Sequence, residues 1–118
     1  MTTMTPTEFL GAVPVDGYGP GFFRVGGKVY RGAVIVTAEG VTPWVGLDDP
    51  DALLALAGRA DVLFLGMGAE PAFPPKALAA ALDGVGVMAE AMSSPSAARS
   101  YNVTLSEGRR VACALLPL

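Results

Sequence analysis

Residues 97–117 read AARSYNVTLSEGRRVACALLP and join the pattern of an amphipathic helix to that of a buried strand. Four residues lie on one face of that helix, at the spacings of three, four and seven positions that a core-facing side requires: Ala98, Tyr101, Asn102 and Leu105. Gly108 ends the predicted helix, and the mostly apolar run 109–116 after it predicts a strand. A helix that leads directly into a buried strand is the repeating unit of an α/β fold.

The same alternation of helix and strand occurs earlier in the chain. The predicted elements, in chain order, are a helix that begins at Asp48 or Asp49 with Pro50 in its first turn, a strand at 61–68, a helix from Pro74 to Gly84, a strand at 85–92 and a helix that begins at Ser94 and Pro95. The buried side of the first of these helices consists of Leu53, Leu54 and Leu56. Strands that alternate with helices in this way pair in parallel through right-handed crossovers.

The first third of the chain predicts a β-hairpin. FFRVGGKVYRGAVIV, residues 22–36, contains two strands joined by the turn Gly26–Gly27, and its second arm runs from Lys28 to Val36. The preceding VDGYGPG, residues 15–21, is interpreted as a loop. Its glycines lead into a strand and not into a helix, so they do not form a phosphate-binding loop.

Length and composition predict one domain. The chain has 118 residues, of which 52% are hydrophobic and 16% are charged, and this is the composition of a globular protein with a single core. We expect a single α/β domain at residues 9–118, with a central mixed, mostly parallel sheet, an N-terminal β-hairpin and about three helices. Residues 1–8 are expected to form a flexible N-terminal tail.

The charged and polar residues exclude several classes of function. The net charge is −3, and no cationic cluster exceeds the pair Arg109–Arg110, which argues against nucleic-acid binding. The sequence contains no histidine, so Ser–His and Cys–His catalysis and the commonest transition-metal ligand are absent. We therefore expect no metal site, and no residue is assigned a catalytic role.

The single cysteine and the absence of long apolar runs indicate where the protein resides. Cys113 lies within an apolar strand pattern, which predicts a small buried side chain and not a reactive thiol. One thiol forms no internal disulfide, and this fits a reducing compartment. No run approaches the roughly twenty apolar residues of a membrane span, so we expect no membrane insertion and a cytoplasmic location.

A candidate pocket lies beyond the carboxyl ends of the predicted strands, where ligands bind in parallel α/β sheets. Six residues form it: Gly66, Gly68, Ser93, Ser94, Arg99 and Asn102. The serines stand at the start of the last helix and Arg99 lies within its next turn. Free N–H groups, hydroxyls and a guanidinium together suit a carboxylate or a phosphate.

Each of these residues also has a structural interpretation. Ser94 can be a helix N-cap with Pro95 at the first helical position, and the two glycines can serve a close approach of the backbone or a positive φ. Asn102 either lines the pocket or binds backbone groups at a strand end. Trp44, which follows Pro43 in a loop, either covers the sheet or offers a partner protein an aromatic anchor.

Several segments together resemble one small α/β family: DGYGPGFFRVGGKVYRGAVIV, Trp44, LFLGMG and above all AARSYNVTLSEGRRVACALLP. That family includes uncharacterised bacterial and archaeal proteins, the adipogenesis-associated Mth938-domain protein of animals and the mitochondrial NADH dehydrogenase (complex I) assembly factor. The resemblance spans residues 15–117. It implies a single-domain, Mth938-like mixed α/β fold, no established catalytic activity, no cofactor, and a role as an accessory factor in the assembly of a membrane respiratory complex.

Two hypotheses about function follow. The first is a non-catalytic accessory or interaction protein that binds a protein partner of unknown identity, with Trp44 and Arg99 on the contact surface and a homodimer left open. The second is an enzyme or a binding protein for small anions or other small molecules that uses the pocket at the N-terminus of the last helix. The first hypothesis is favoured, because the sequence lacks histidine and nucleotide-binding motifs and because the family resemblance implies an accessory factor.

Overall fold

The computed structural model describes residues 13–118, so the predicted tail at 1–8 lies outside the described residues. Within this range the chain forms eight strands and three helices. In chain order they are β1 (Val15–Gly19), β2 (Phe22–Val25), β3 (Lys28–Arg31), β4 (Val34–Thr37), β5 (Gly40–Pro43), α1 (Pro50–Leu54), β6 (Val62–Gly66), α2 (Lys76–Gly84), β7 (Met88–Met92), α3 (Ser94–Ser106) and β8 (Val111–Leu115). The mixed α/β class with three helices is confirmed.

The central sheet has five strands in the order β5-β4-β8-β6-β7. Strand β6 is parallel to both of its neighbours, β7 and β8, and the predicted helices α2 and α3 provide the crossovers. Strand β4 is antiparallel to β5 and to β8. The sheet is therefore mixed, as expected, and its parallel part is the region where strands and helices alternate along the chain.

The predicted N-terminal hairpin is part of a second, three-stranded antiparallel sheet in the order β1-β2-β3. The loop predicted at residues 15–21 is wrong, because Val15–Gly19 pairs with β2 as strand β1. The single long arm predicted for Lys28–Val36 is also wrong. Gly32 divides it with a φ of +83°, a conformation that side chains disfavour, and so directs the chain from one sheet to the other.

Two apolar layers lie on the two faces of the central sheet. Alternate residues of β6 point to opposite faces, as in any strand: Val62 and Phe64 pack with α3 and the three-stranded sheet, whereas Leu63 and Leu65 pack with α1 and α2. Strand β8 lies between β4 and β6, and all five of its residues are buried. The carboxyl ends of β6 and β7 lie next to the N-terminus of α3, where the candidate pocket was predicted.

Candidate functional site

The N-terminus of α3 is packed directly against the end of β6. A Cβ atom added at Gly66 would lie 2.7 Å from both the Cα and the Oγ of Ser94 and 3.0 Å from a methyl group of Leu115. Real Cβ atoms do not approach backbone this closely, so Gly66 is required for the contact. The contacts of Gly66 therefore support the interpretation that this glycine allows a close approach of the backbone, and not that it binds a ligand.

Ser94 is fully buried and all of its polar groups are bonded to neighbouring backbone. Its hydroxyl donates to the carbonyl of Leu116 at 2.6 Å and accepts the N–H of Gly68 at 2.9 Å. Its own N–H donates to the carbonyl of Gly68 at 2.7 Å, and Gly68 holds the required turn with a φ of +97°. The hydroxyl has a single hydrogen and its donor is used, so Ser94 has no donor left for a ligand.

The N-cap of α3 is Ser93 and not Ser94. The Ser93 hydroxyl accepts the N–H of Ser96 at 3.4 Å and also bonds to the Ser96 hydroxyl at 3.1 Å. Pro95 accordingly occupies the second helical position. The predicted cap differs by one residue because the Ser94 hydroxyl bonds across to the ends of the central sheet, which a local capping pattern does not reveal.

Asn102 binds the backbone of Val15 with both ends of its amide group. Its Nδ2 donates to the carbonyl of Val15 at 2.8 Å, and its Oδ1 accepts the N–H of Val15 at 2.9 Å. On the same helix, the Tyr101 hydroxyl donates to the carbonyl of Val13 at 3.2 Å. The amide on the apolar face of α3 therefore attaches β1 to the helix, and it does not line a pocket.

Arg99 faces solvent and lines an open depression of about 320 Å³ together with Phe64, Ser100, Val103 and Thr104. Its guanidinium bonds to the Ser96 hydroxyl at 3.3 Å. The six predicted residues therefore do not converge on one pocket. Gly66, Gly68 and Ser94 form a packed joint, Ser93 caps α3, Asn102 faces β1, and Arg99 is the one of the six that is exposed.

Trp44 is buried, with 4% of its surface exposed. It packs with the apolar layer of α1 and α2, and its indole N–H donates to the carbonyl of Asp49 at 3.2 Å. Of the two alternatives for this residue, the structure supports the one in which it covers the sheet. The prediction that Trp44 is an exposed aromatic anchor for a partner protein is wrong, because its ring lies inside this apolar layer.

Two buried groups with acidic protons are held in their neutral forms. Burial raises the pKa of the Cys113 thiol far above its usual value, and burial together with the nearby Cys113 raises the pKa of the Tyr101 hydroxyl. A neutral, buried thiol is a poor nucleophile, as the sequence predicts for Cys113. Among residues 13–118, no three Cys, Asp or Glu side chains are grouped so that they could hold a metal ion.

The sequence did not single out the most exposed large apolar residues of the described chain. Phe73 is 95% exposed, Val45 81%, Met88 60% and Val103 59%. Phe73 belongs to the segment EPAFPP at residues 70–75, between β6 and α2. The sequence pattern that could have indicated the exposure of Phe73 is a single aromatic residue among three prolines, outside any helical or strand pattern. None of the helices within residues 13–118 has the length and hydropathy that a membrane span requires.

Comparisons with known proteins agree with this fold. Residues 15–116 match a family described as "Protein of unknown function (DUF498/DUF598)". An uncharacterized protein of Rhodobacter capsulatus is 59% identical over 117 residues, covering 98% of this chain and 94% of that protein. The resemblance to the Mth938-like family is confirmed by the solved structure of a Mth938-like domain from Bordetella pertussis, with a TM-score of 0.78 and 27% identity, covering 99% of this chain and 91% of that one.

Another similar structure is that of a protein from Bartonella henselae described as an outer membrane protein. Its TM-score is 0.81 at 31% identity, and the match covers 91% of this chain and 96% of that chain. The descriptions of these relatives give a fold and a family, and none of them gives an activity.

Proposed function

The chain belongs to the DUF498/DUF598 family of proteins of unknown function, and from that premise we propose that it is a non-catalytic interaction protein that binds a partner protein through exposed apolar side chains. The partner class that we propose is a subunit of a membrane respiratory complex during its assembly. The family resemblance to an assembly factor of mitochondrial NADH dehydrogenase supports this choice of partner.

The observation that carries the proposal is the exposure of Phe73. Its ring is 95% exposed, and burying a phenylalanine side chain in an interface contributes about 1.5–3 kcal/mol. Pro71, Pro74 and Pro75 restrict the backbone on both sides of it. A side chain held out on a restricted loop loses little conformational entropy on binding, which is the property of an interface anchor.

The chemistry of the predicted pocket also supports an interaction protein over an enzyme. The Ser94 hydroxyl and the Asn102 amide are bonded to backbone groups of their own chain. Groups that hold sheets and helices together are not free to orient a substrate or stabilise a transition state. Of the six residues predicted to form the pocket, Arg99 is the one that is exposed.

The test is affinity capture from native cells with gentle crosslinking, followed by binding measurements on each purified partner that is identified. We expect wild type to enrich a subunit of a membrane respiratory complex, and Phe73→Ala to weaken its binding by about tenfold or more. Phe73→Tyr keeps the ring and should retain binding. Val29→Ala is the matched control, since Val29 is a half-exposed apolar residue on the three-stranded sheet.

Two results contradict the proposal. One is an undiminished affinity of Phe73→Ala for the same partner. The other is turnover of a defined small molecule by the purified protein at rates of the order of 1 per second or more, which are ordinary for enzymes. Because Phe73 makes little contact with its own chain, both variants at this position should unfold at the temperature of the wild type, and this is checked first.

A further inference from the structure

Strand β7 is an open edge of the central sheet. It stands last in the strand order and, within residues 13–118, it pairs only with β6. The Met88 N–H donates to the carbonyl of Asp61 at 2.9 Å, and the Met92 carbonyl accepts the N–H of Met67 at 2.8 Å. Backbone groups alternate in direction along a strand. The N–H and C=O groups of Ala89 and Ala91 therefore point outward, away from β6.

This edge lacks several of the features that usually block the addition of another strand. The strand reads MAEAM and contains no proline and no lysine, and its register with β6 continues without a bulge from Met88 to Met92. At the opposite edge of the sheet, by contrast, β5 ends in Pro43. Four outward backbone groups in a regular strand match the hydrogen-bonding pattern of one further extended segment.

Glu90, at the centre of β7, decides which kind of segment fits. Its side chain is exposed, and no cationic group among the described residues lies within 4.0 Å of it. In a second copy of this chain, the antiparallel register that pairs Ala89 with Ala91 also places Glu90 directly opposite Glu90. Residues opposite each other in this way have Cα atoms about 4.5 Å apart, and like charges there are destabilising. In this register the charge therefore disfavours a second copy of the chain and favours a basic side chain.

The residues on either side of Glu90 define the rest of the pattern. Met88 and Met92 lie two positions away on the same face as Glu90. Met88 is 60% exposed, and Met92 is half-buried next to the Ser100 hydroxyl, 3.6 Å from its sulfur. Apolar side chains placed two residues before and after the basic residue of an added strand would cover these methionines.

We propose that β7 binds an extended segment of a partner protein as an added antiparallel strand, with Lys or Arg opposite Glu90 and apolar residues opposite Met88 and Met92. This inference rests on the proposed interaction function and specifies how the partner is held. Residues 1–12 of the chain itself are a poorer match, because the sequence contains no Lys or Arg before Arg24.

The experiment is a selection of displayed random heptapeptides on the full-length protein. We expect the enriched peptides to alternate apolar residues around a central Lys or Arg. A synthetic peptide of the selected sequence should bind wild type about fivefold more tightly than its twin with a central Glu. In Glu90→Lys the preference should reverse. On binding, the amide protons of Ala89 and Ala91 should become protected from hydrogen exchange.

Ala91→Pro tests the backbone part of the inference. Proline removes an outward N–H that β6 does not use, so the fold is retained as at natural edge strands. The selected peptide should bind Ala91→Pro about tenfold more weakly, because one ladder hydrogen bond is lost and the proline ring obstructs the added strand. Ala91→Ser, which keeps the N–H, is the matched control and should bind like wild type.

Each of the following outcomes overturns the inference. If Glu90→Lys has the same preference as wild type for the central charge of the peptide, β7 does not select the segment by charge. If no peptide is enriched, β7 does not bind such a segment. A wild-type dimer that Ala91→Pro dissociates would show that a second copy occupies the edge. Peptide binding that appears only after deletion of residues 1–12 would show that the chain's own segment occupies it. If Phe73→Ala abolishes capture of the natural partner while Glu90→Lys and Ala91→Pro leave it intact, the interaction function stands and the strand-addition mode is wrong.

Discussion

Replacing Asn102 with alanine removes both hydrogen bonds that attach β1 to α3. The amide of Asn102 bonds the N–H and the C=O of Val15 at 2.9 and 2.8 Å, and Val15 is 5% exposed. The substitution leaves both backbone groups without their partner in a partly buried site. The effect should therefore exceed that of losing an exposed side-chain contact on the same helix.

The magnitude follows from the two unpaired groups. Each buried polar group left without a partner costs about 1–3 kcal/mol, and partial access of water at the edge of β1 places the cost towards the lower end. We expect the free energy of unfolding to fall by about 2–3 kcal/mol, a large part of the 5–15 kcal/mol of an ordinary domain. For a domain of this size, that lowers Tm by about 6–12 °C.

Thermal and urea unfolding, followed by circular dichroism, measure the change, and hydrogen exchange locates it. The Val15 amide should lose most of its protection in Asn102→Ala. Val103→Ala is the matched control, since Val103 is the next residue on α3 and is 59% exposed. A loss below about 0.5 kcal/mol in Asn102→Ala, within the range of ordinary surface substitutions, would refute the attachment of β1 through this amide.

Two further predictions concern the packed joint and the buried thiol. Gly66→Ala should destabilise the protein by about 1–3 kcal/mol, because the added Cβ would lie 2.7 Å from the backbone of Ser94. Gly84→Ala is the control: no atom lies within 4 Å of its added Cβ, so it should be neutral or stabilising by up to about 1 kcal/mol. Equal urea midpoints for the two variants would contradict the contact at Gly66. Cys113, which is buried and whose pKa is raised, should react with a thiol reagent at pH 8 only as fast as the protein unfolds, and a rate in native buffer equal to that in denaturant would contradict its burial.

The parts of the fold that the sequence predicts well are those that local signals determine. The apolar spacing of α3, its start near Ser94 and its termination before Gly108 are visible within fifteen residues, and the apolar run of β8 follows directly. The packed joint was partly anticipated as well. Gly66, a glycine at the end of a buried strand, indicates a close approach even when the atom that approaches is unknown.

The parts that were missed depend on contacts between distant residues. Strand β1 contains two glycines and looks like a loop, and the amide that binds it comes from a residue 87 positions away. The apolar run through Gly32 looks continuous, although a single positive φ divides it between two sheets. Of the candidate pocket, only Gly66, Gly68 and Ser94 lie together, and tertiary packing determines that Ser94 and Asn102 bind backbone groups and not a ligand.

The central position of β8 has a consequence for how the protein folds. Strands β4 and β6 precede β8 in the chain, yet each of them borders β8, which follows the other elements of the described residues. Until β8 is inserted between them, the two halves of the central sheet have no common hydrogen bonds, and the apolar faces of both remain partly open. The core therefore cannot be completed strand by strand along the chain, and this pairing of strands that are distant in sequence slows folding.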